Sequence, residues 1–374
     1  MTVCYLGKAS DHRDNFASLA RSAGADICSI SDSVSAGVYA STRAEENAPP
    51  PGRFRSKLAR LKSQLYGIND PRYIGNLVRE LDKYEVDSLV AFWGTAVLGD
   101  IIAVKRLRPR TRVFLNVLCH PTALSSGRIA VQNWLFRRHA GQLDGVIASN
   151  SVMESYLHDK VLGESKTPCL IWPPYLSKRY HPCDRLLESV DTPNVFFMGR
   201  MDWWHGQACD NVTSFLCQLM NAGIHVHYSQ GGLPTHFHPF GHTFAYRLLA
   251  DAVKFSTQFD ASLIVYNIAA CGSARRFSLT VPDRLIASVA AGIPVALPRT
   301  GFEACWEYLR DYGGTLAFES AGDLADQLKD RAHLESLKRL ARADCKKYVA
   351  EDHARPLFEF IGALPAKSNY LAVA

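Results

Sequence analysis

Apolar and polar positions follow one another in blocks that predict alternating strands and helices. A short apolar run at 2–6 precedes apolar residues at helical spacing between 16 and 23, and strand character resumes at 25–30. This order is typical of a βαβ unit with parallel strands. A second unit begins with a strand at 86–92 and returns as a strand at 112–118. The pattern therefore predicts an α/β protein.

The clearest strand–loop–helix–strand unit occupies 261–297. Pro282 opens its helix, because the missing N–H of proline would be unpaired at that position anyway. Gly292 ends it, because glycine adopts the left-handed conformation that closes a helix. The polar loop before the helix carries Arg275 and Arg276. Two guanidinium groups facing a helix N-terminus suit a diphosphate, so this loop is predicted to bind a nucleotide-sugar.

The length of 374 residues accommodates two domains. Prolines at 173, 174 and 182 break the pattern and indicate a linker at roughly 173–192. We expect a first domain at 1–175 and a second at 190–350. For the tail at 351–374, a return to the first domain is one interpretation.

Composition is that of an ordinary globular protein, with 47% hydrophobic and 21% charged residues. No apolar run reaches the roughly 20 residues that a membrane span needs, and the opening residues are expected to form a strand instead of a signal peptide. The ten cysteines include no C-x-x-C pair, which favours reduced thiols in the cytoplasm over disulfides or structural zinc. The net charge of +6 is too small to indicate nucleic acid by itself.

A basic amphipathic helix is predicted at 53–65, after a proline-rich break. One interpretation places this helix on an anionic membrane, at the inner face. The other is a surface helix that packs its apolar face on the first domain. The apolar face comprises Phe54, Leu58, Leu61 and Leu65, and the basic residues are Arg53, Arg55, Lys57, Arg60 and Lys62.

Polar residues follow two predicted strands of the first half. Gly7, Lys8, Asp11 and His12 come after the first strand, and His120 ends the strand that begins at 112. Parallel sheets bind ligands at the carboxyl ends of their strands, so these residues are candidates for the edge of a cleft. His120 would hydrogen-bond a sugar hydroxyl or a leaving-group oxygen. The alternatives are solvated loop residues and a core histidine.

In the second half, Gly199 and Arg200 follow a predicted strand. Glycine lets the backbone approach a ligand, and arginine binds phosphate through two parallel hydrogen bonds. A domain-interface salt bridge is the alternative for Arg200.

A histidine group follows, but no acidic or cysteine ligand joins it at short spacing, and 238–242 is predicted to be a loop, so we expect no metal site. The chain also lacks a pair of aspartates two residues apart, the usual carboxylate clamp for a divalent metal. The group comprises His225, His227, His236, His238 and His242.

Four segments carry a resemblance to a known family, and they are 144–150, 173–182, 195–200 and, most specifically, the run from Pro282 to Val295. On these segments, the sequence resembles the GT-B glycosyltransferases, in particular bacterial mannosyl- and glucosyltransferases of polysaccharide and lipid-glycan assembly. The resemblance implies two Rossmann-like domains facing a cleft, with the donor held by the second and the acceptor by the first.

The resemblance also implies roles for individual residues. Gly199 and Arg200 would stand at the donor phosphates, and His205, Arg275 or Arg276 would supply a second phosphate contact. His120 would face the transferring sugar, and Asp11 and His12, with Asp14, are candidate bases if the reaction inverts. The donor-binding candidates are Gly199, Arg200, His205, Arg275, Arg276, Phe277, Ser278, Leu279, Thr280 and Arg284, which matches a basic position common after the helix-opening proline.

One departure bears on the donor. Many relatives carry two glutamates here, the second of which binds the nucleotide ribose, and this chain has Leu279 and Ala287 instead. The nucleotide is therefore left open, with UDP or GDP favoured, and so is retention or inversion. The resemblance implies metal-independent sugar transfer to a glycan or lipid-linked glycan, without a cofactor. The alternatives are an inactive nucleotide-sugar or partner-binding protein and, ranked lower, a DNA glycosyltransferase.

Overall fold

The computed structural model describes residues 2–6, 10–28, 66, 70–92, 94–121, 126–181, 192–199, 209–229, 238–245, 249–270 and 274–362. The chain divides into two compact units. Unit 1 contains Met1–Pro173 and the residues from Glu351 on, and unit 2 is Pro174–Ala350. The candidates outside the described residues are Gly7, Lys8, Arg55, Lys57, Arg60, Lys62, Arg200 and His205.

Unit 1 is built on a six-stranded parallel sheet with the order β2-β1-β3-β4-β5-β6. Its strands are β1 (Thr2–Leu6), β2 (Asp26–Cys28), β3 (Val86–Phe92), β4 (Arg112–Val117), β5 (Gly145–Ala148) and β6 (Cys169–Ile171). The connecting helices are α1 (Ser10–Ser22), α2 (Pro71–Lys83), α3 (Leu98–Leu107), α4 (Ser126–Ala140) and α5 (Ser151–Leu157).

Side chains fix where two of these helices begin. The Asp70 carboxylate accepts a hydrogen bond from the backbone N–H of Arg72 at 2.7 Å, and Pro71 occupies the first turn of α2. The Asn150 side chain accepts from the N–H of Met153 at 2.8 Å and caps α5. Both helices thus start where unpaired amides find an acceptor.

Unit 2 has a second six-stranded parallel sheet, with the order β12-β11-β10-β7-β8-β9. Its strands are β7 (Asn194–Phe197), β8 (His225–Ser229), β9 (Gly241–Phe244), β10 (Ala261–Leu263), β11 (Val295–Pro298) and β12 (Thr315–Phe318). Its helices are α6 (Thr213–Asn221), α7 (Leu249–Ser256), α8 (Arg275–Leu279), α9 (Asp283–Ala291), α10 (Glu303–Tyr308), α11 (Ala321–Lys329) and α12 (Arg331–Asp344).

Apolar residues cover both faces of the unit 2 sheet. Phe196 of β7 belongs to one buried cluster, which includes α9, while its neighbours Val195 and Phe197 belong to the cluster that includes α6 and α11. Successive residues of a strand point to opposite faces, so these strands read as continuous apolar runs. Two parallel sheets of this Rossmann-like kind confirm the α/β expectation.

The unit singled out in the sequence forms largely as predicted. α9 begins one residue after Pro282, and Gly292 closes it in the left-handed conformation with φ 66°. The predicted loop around Arg275 and Arg276 is wrong, because Arg275–Leu279 forms the short helix α8. Burial of Phe277 and Leu279 in the unit 2 core anchors this turn.

One further loop prediction, at 238–242, is wrong. His242 lies in β9, where Val226 of β8 pairs with Gly241. A short, polar edge strand carries a weak apolar signal, which explains the error.

Asp11 and His12 lie in the first turn of α1, which begins at Ser10. Their side chains are outside the described part of the structure.

The last described segment, α13 (Ala354–Phe360) and the two residues after it, belongs to unit 1. Phe358 packs on Phe16 of α1, with ring centroids 5.5 Å apart. The Ser88 hydroxyl of β3 donates to the carbonyl of Ile361 at 3.1 Å. The C-terminal helix thus completes the core of unit 1. No helix within the described residues is long and apolar enough to cross a membrane.

Candidate functional site

Gly199, Tyr266 and Arg284 meet at the carboxyl ends of β7 and β10 in unit 2. A Cβ placed on Gly199 would lie 2.5 Å from Nη1 of Arg284 and 2.8 Å from Cζ of Phe197. The guanidinium carbon of Arg284 lies 4.0 Å from the ring centroid of Tyr266. Only a residue without a side chain fits at position 199, so the predicted glycine is explained by its contact with Arg284.

Arg284 is a buried cation with an open hydrogen-bonding position. Its side chain is 7% exposed and also lies over the Phe197 ring, 5.1 Å from the centroid. Within the described residues, Nη1 is buried without a hydrogen-bond partner. A guanidinium stays charged, and an unpaired buried charge is costly. The arrangement therefore indicates that an anion completes the site.

The start of α9 adds to this positive field. Arg284 is the second residue of the helix, and no side chain among the described residues caps its N-terminus. The first backbone N–H groups of a helix lack intrahelical partners and carry partial positive charge. Arg284 and these amides thus belong to one helix end, which suits phosphate oxygens.

Electrostatic effects of Arg284 reach its neighbours. Burial raises the pKa of the Tyr266 phenol, while the charge of Arg284 and its hydrogen bond to the phenol oppose the rise. Burial likewise raises the pKa of the Cys305 thiol against the same charge. Both groups stay neutral at pH 7, so neither neutralises the guanidinium.

The other donor candidates are placed differently. Phe277 and Leu279 are buried in the unit 2 core, while Ser278 and Thr280 are partly exposed beside them. Arg275 is exposed, and Arg276 is close enough to Tyr266 for its charge to lower the phenol pKa. The structure therefore groups Gly199, Arg284 and Arg276.

Leu279 and Ala287, which replace the glutamates of many relatives, are both buried, each 2% exposed. Ala287 belongs to the apolar cluster that includes α9. A carboxylate at either position would be buried, which is unfavourable without a partner. The apolar residues at both positions are consistent with their surroundings.

Sequence reasoning missed Tyr266. It ends the predicted strand 261–266, and a tyrosine at a strand's carboxyl end was the available signal. Nothing in the sequence indicated that Cys305 lies in this region. Its thiol donates a hydrogen bond to the carbonyl of Thr280 at 3.4 Å, but the two residues are distant in sequence.

His120 in unit 1 is fully buried after β4. Its Nε2 lies 3.0 Å from Oδ1 of Asn133, whose amide also bonds the Tyr156 hydroxyl at 3.0 Å. Burial lowers the pKa of His120 to about 4, against the opposing effect of the Asn133 hydrogen bond. The ring is therefore neutral at pH 7. Because Oδ1 is an acceptor, Nε2 carries the proton and Nδ1 presents a lone pair.

Three buried polar atoms near the carboxyl ends of β3 and β4 have no hydrogen-bond partner within the described residues. They are Nδ1 of His120, Oδ1 of Asn116 in β4, and Oγ1 of Thr95 in the 3₁₀ turn Gly94–Val97 after β3. Buried polar atoms are normally satisfied by protein, water or ligand. These atoms make this end of unit 1 a candidate polar binding region.

The histidines of β8 and β9 contact each other. Nδ1 of His225 lies 2.7 Å from Nε2 of His242, and the rings of His227 and His242 stack with centroids 4.5 Å apart. Nε2 of His227 also faces Oδ1 of Asn194 at 3.2 Å. Burial lowers the pKa of His227 to about 4, and the charge of His242 adds to the shift. His225 and His227, two residues apart in β8, share one face of the strand, toward its amino end and away from Gly199.

Comparison with known proteins identifies the fold. No protein-family model and no curated protein matches the sequence. HepE of Anabaena, solved in complex with UDP and glucose, is 12% identical over 96% of this chain and 98% of that chain, with a TM-score of 0.56. A glycosyltransferase from Rickettsia africae ESF-5 is 11% identical over 96% and 97%, with a TM-score of 0.55. TarM is 10% identical over 78% of this chain, which spans 58% of TarM, with a TM-score of 0.53.

These likenesses and the two parallel sheets show that the chain has the GT-B fold. The fold expectation from the sequence is confirmed. At 11–12% identity, the likeness concerns the fold and not the chemistry.

Proposed function

We propose that this protein is a glycosyltransferase that moves a sugar from a nucleotide-sugar to a hydroxyl group of a glycan or lipid-linked glycan. The observation that carries the proposal is the buried Arg284, with Nη1 open at the start of α9. The GT-B fold supports it, and the solved complex of HepE with UDP and glucose makes UDP the first nucleotide to test.

In this reaction, the bond between the anomeric carbon and the diphosphate oxygen breaks, and a bond to the acceptor oxygen forms. Negative charge develops on the leaving nucleoside diphosphate. Arg284 and the α9 amides stabilise this charge, with Arg276 as a further cation, so the protein itself supplies the positive charge that a metal would otherwise provide. The acceptor proton passes to a phosphate oxygen in a retaining reaction, or to Asp11 or His12 in an inverting one.

In the proposed reaction, unit 1 binds the acceptor. The neutral His120 ring offers an acceptor nitrogen at Nδ1, and Thr95 and Asn116 offer further polar atoms. Uncharged hydrogen-bonding groups suit sugar hydroxyls, which are neutral donors and acceptors.

A donor panel tests the activity. The protein is incubated with UDP-, GDP-, ADP- and CMP-sugars, while donor hydrolysis and the shift in melting temperature are followed. Because a ligand that binds the folded state raises apparent stability, we expect one nucleotide class to raise Tm and to be slowly hydrolysed. Binding without turnover, with or without a glycan hydroxyl acceptor, would favour the non-catalytic alternative. No binding and no turnover with any donor would contradict the proposal.

We also propose that unit 1 contacts an anionic membrane surface through α4. Val131, Trp134 and Arg138 lie on one exposed helix face, and Trp134 is 57% exposed. The Arg138 guanidinium lies 5.5 Å from the Trp134 ring centroid. Tryptophan favours the headgroup layer, and arginine favours anionic lipid. The basic segment 53–65 lies outside the described residues and remains a second candidate for the same contact.

Sedimentation with vesicles tests this contact. We expect binding to vesicles with anionic lipid, weaker binding to neutral vesicles, and a loss in a Trp134→Ala, Arg138→Glu variant. Arg339→Glu, which changes an exposed arginine of α12 in unit 2, is the matched control. Equal sedimentation of all three proteins would refute a role for α4. A variant with Arg55, Lys57, Arg60 and Lys62 changed to Glu tests the other segment.

A further inference from the structure

Three side chains of unit 1 with different ligand chemistries converge on one point. The ligand atoms of Glu154, His158 and Cys169 all lie within 4.8 Å of one another. Glu154 and Cys169 are partly buried, and His158 is exposed. No step of the proposed glycosyl transfer uses these residues.

The fold explains why they meet. Glu154 and His158 are four residues apart and therefore project from the same side of α5 and the π-helical turn that continues it, His158–Leu162. Cys169 is the first residue of the edge strand β6, where it pairs with Val146 of β5. Helix and strand thus bring together residues that the sequence separates by up to 15 positions.

We infer that Glu154, His158 and Cys169 bind a single Zn²⁺ ion. A carboxylate oxygen, an imidazole nitrogen and a thiolate sulfur are the ligand types that zinc accepts in tetrahedral sites. A thiolate disfavours Mg²⁺ and Ca²⁺, which prefer oxygen ligands. Three protein ligands leave the fourth position for water. The sequence pattern does not predict this site, because Cys169 lies far along the chain from Glu154 and His158.

Binding of Zn²⁺ to the Cys169 sulfur replaces the thiol proton with a metal–sulfur bond and releases H⁺. Zinc affinity should consequently rise with pH.

The position indicates a structural role. Cys169 lies at the amino end of β6, whereas His120 follows the carboxyl end of β4 in the same sheet. An ion here would tie the outermost strand of unit 1 to the end of α5. Zinc binding at this site can therefore be tested independently of the proposed transferase activity.

Cobalt provides the direct test. Chelator-treated full-length protein is titrated with Co²⁺, which reports a sulfur ligand through a thiolate-to-cobalt charge-transfer band, and Zn²⁺ then displaces the cobalt. We expect one equivalent of metal, the thiolate band and release of a proton. Cys169→Ser should abolish the band and lower zinc affinity by more than about 100-fold, since even the loss of a residue that hydrogen-bonds to a metal ligand costs about 10- to 100-fold. His158→Gln and Glu154→Gln should also weaken binding.

Controls separate this site from other metal binding. Cys217→Ser, a partly buried cysteine of unit 2, should keep the band and the affinity. Zn²⁺ should raise the Tm of the native protein and of Cys217→Ser but not of Cys169→Ser, while all three share one Tm in chelator. Cobalt binding without a thiolate band, or binding abolished by His242→Gln, would place the metal on the unit 2 histidines and overturn the inference. Absence of binding would overturn it equally.

Discussion

Among the described residues, each unit buries a side chain with an unpartnered nitrogen near the carboxyl ends of its strands, His120 in unit 1 and Arg284 in unit 2. The two side chains respond to burial in opposite ways. His120 in unit 1 is neutral at pH 7 and keeps one ring proton, because burial lowers its pKa to about 4. Arg284 in unit 2 is 7% exposed and keeps its charge, because guanidinium cannot be deprotonated in proteins.

The difference bears on the kind of ligand that each unit is proposed to bind. A neutral imidazole nitrogen can accept a hydrogen bond from a hydroxyl group at little electrostatic cost. A buried guanidinium whose Nη1 has no hydrogen-bond partner would be stabilised by an anion, because a neutral ligand would leave its charge uncompensated. The comparison is consistent with the proposed function, in which unit 2 binds the phosphates and unit 1 binds the acceptor hydroxyl.

The largest expected effect comes from removing the charge of Arg284. Arg284→Gln should lower kcat/KM for donor turnover by about 10²- to 10³-fold, roughly 2.7 to 4 kcal/mol of transition-state stabilisation. Arg284→Lys should recover part of the activity, because it keeps the charge without the planar fork. Steady-state kinetics with the donor found in the panel measure the effect, and Arg339→Gln is the exposed control. Unchanged turnover in Arg284→Gln would break the assignment of phosphate to unit 2.

A glutamate at position 287, where many relatives have one, should lower the stability of unit 2. Ala287→Glu would place a carboxylate in the apolar cluster, where Ala287 is 2% exposed. We expect a loss of about 3 kcal/mol or more in the free energy of unfolding, the order of an uncompensated buried charge. Ala332→Glu, at an exposed position of α12, should change little. If Ala287→Glu instead folds normally and binds nucleotide more tightly, the ribose site lies where the relatives have it.

Acid should destabilise unit 1 through His120. Its folded pKa of about 4 lies below the unfolded value of 6.5, so the unfolded state binds more protons between these values. The contribution of His120 to the free energy of unfolding is therefore fully present above pH 6.5, and about 3 kcal/mol of it is lost as the pH drops to 4. Urea unfolding across this range measures the slope.

A His120→Gln variant is the control for that slope. It should show a shallower pH dependence, with a remainder from groups such as His227, whose pKa is lowered in unit 2. An identical slope in the variant would mean that His120 is not held neutral by burial.

A smaller effect is expected at Gly199. Gly199→Ala places a Cβ 2.5 Å from Nη1 of Arg284, which must move. We expect a loss of about 1 to 3 kcal/mol in stability, as in other overpacked sites, together with weaker donor binding. Gly75→Ala is the matched control, because a Cβ at that position in α2 meets nothing within 4 Å. It should instead stabilise by about 0.5 to 1 kcal/mol. Equal donor affinity in both variants would separate Gly199 from the site.

Local rules were sufficient for much of the fold. The first βαβ unit, the ends of α9 and the left-handed Gly292 follow from apolar spacing and from the backbone properties of proline and glycine. These features depend on neighbours in the chain. Arg284 was a candidate only through the family resemblance, in which a basic residue is common after the helix-opening proline.

Features that depend on distant residues could not be predicted. α8 has only five residues, too few for a periodic signal, and it forms because Phe277 and Leu279 reach the core. The complete burial of His120 depends on Asn133, Phe136 and Tyr156 packing over it from α4 and α5. The contact between Gly199 and Arg284 joins positions 85 residues apart.

The most direct test of the central claim, that Arg284 binds the donor diphosphate, is calorimetric titration with uridine, UMP and UDP, and with the guanosine series if the panel selects it. Native protein and Arg339→Gln should bind the diphosphate far more tightly than the nucleoside. Arg284→Gln should lose most of that difference while keeping its affinity for the nucleoside. An equal preference for the diphosphate in a folded Arg284→Gln variant would contradict the account.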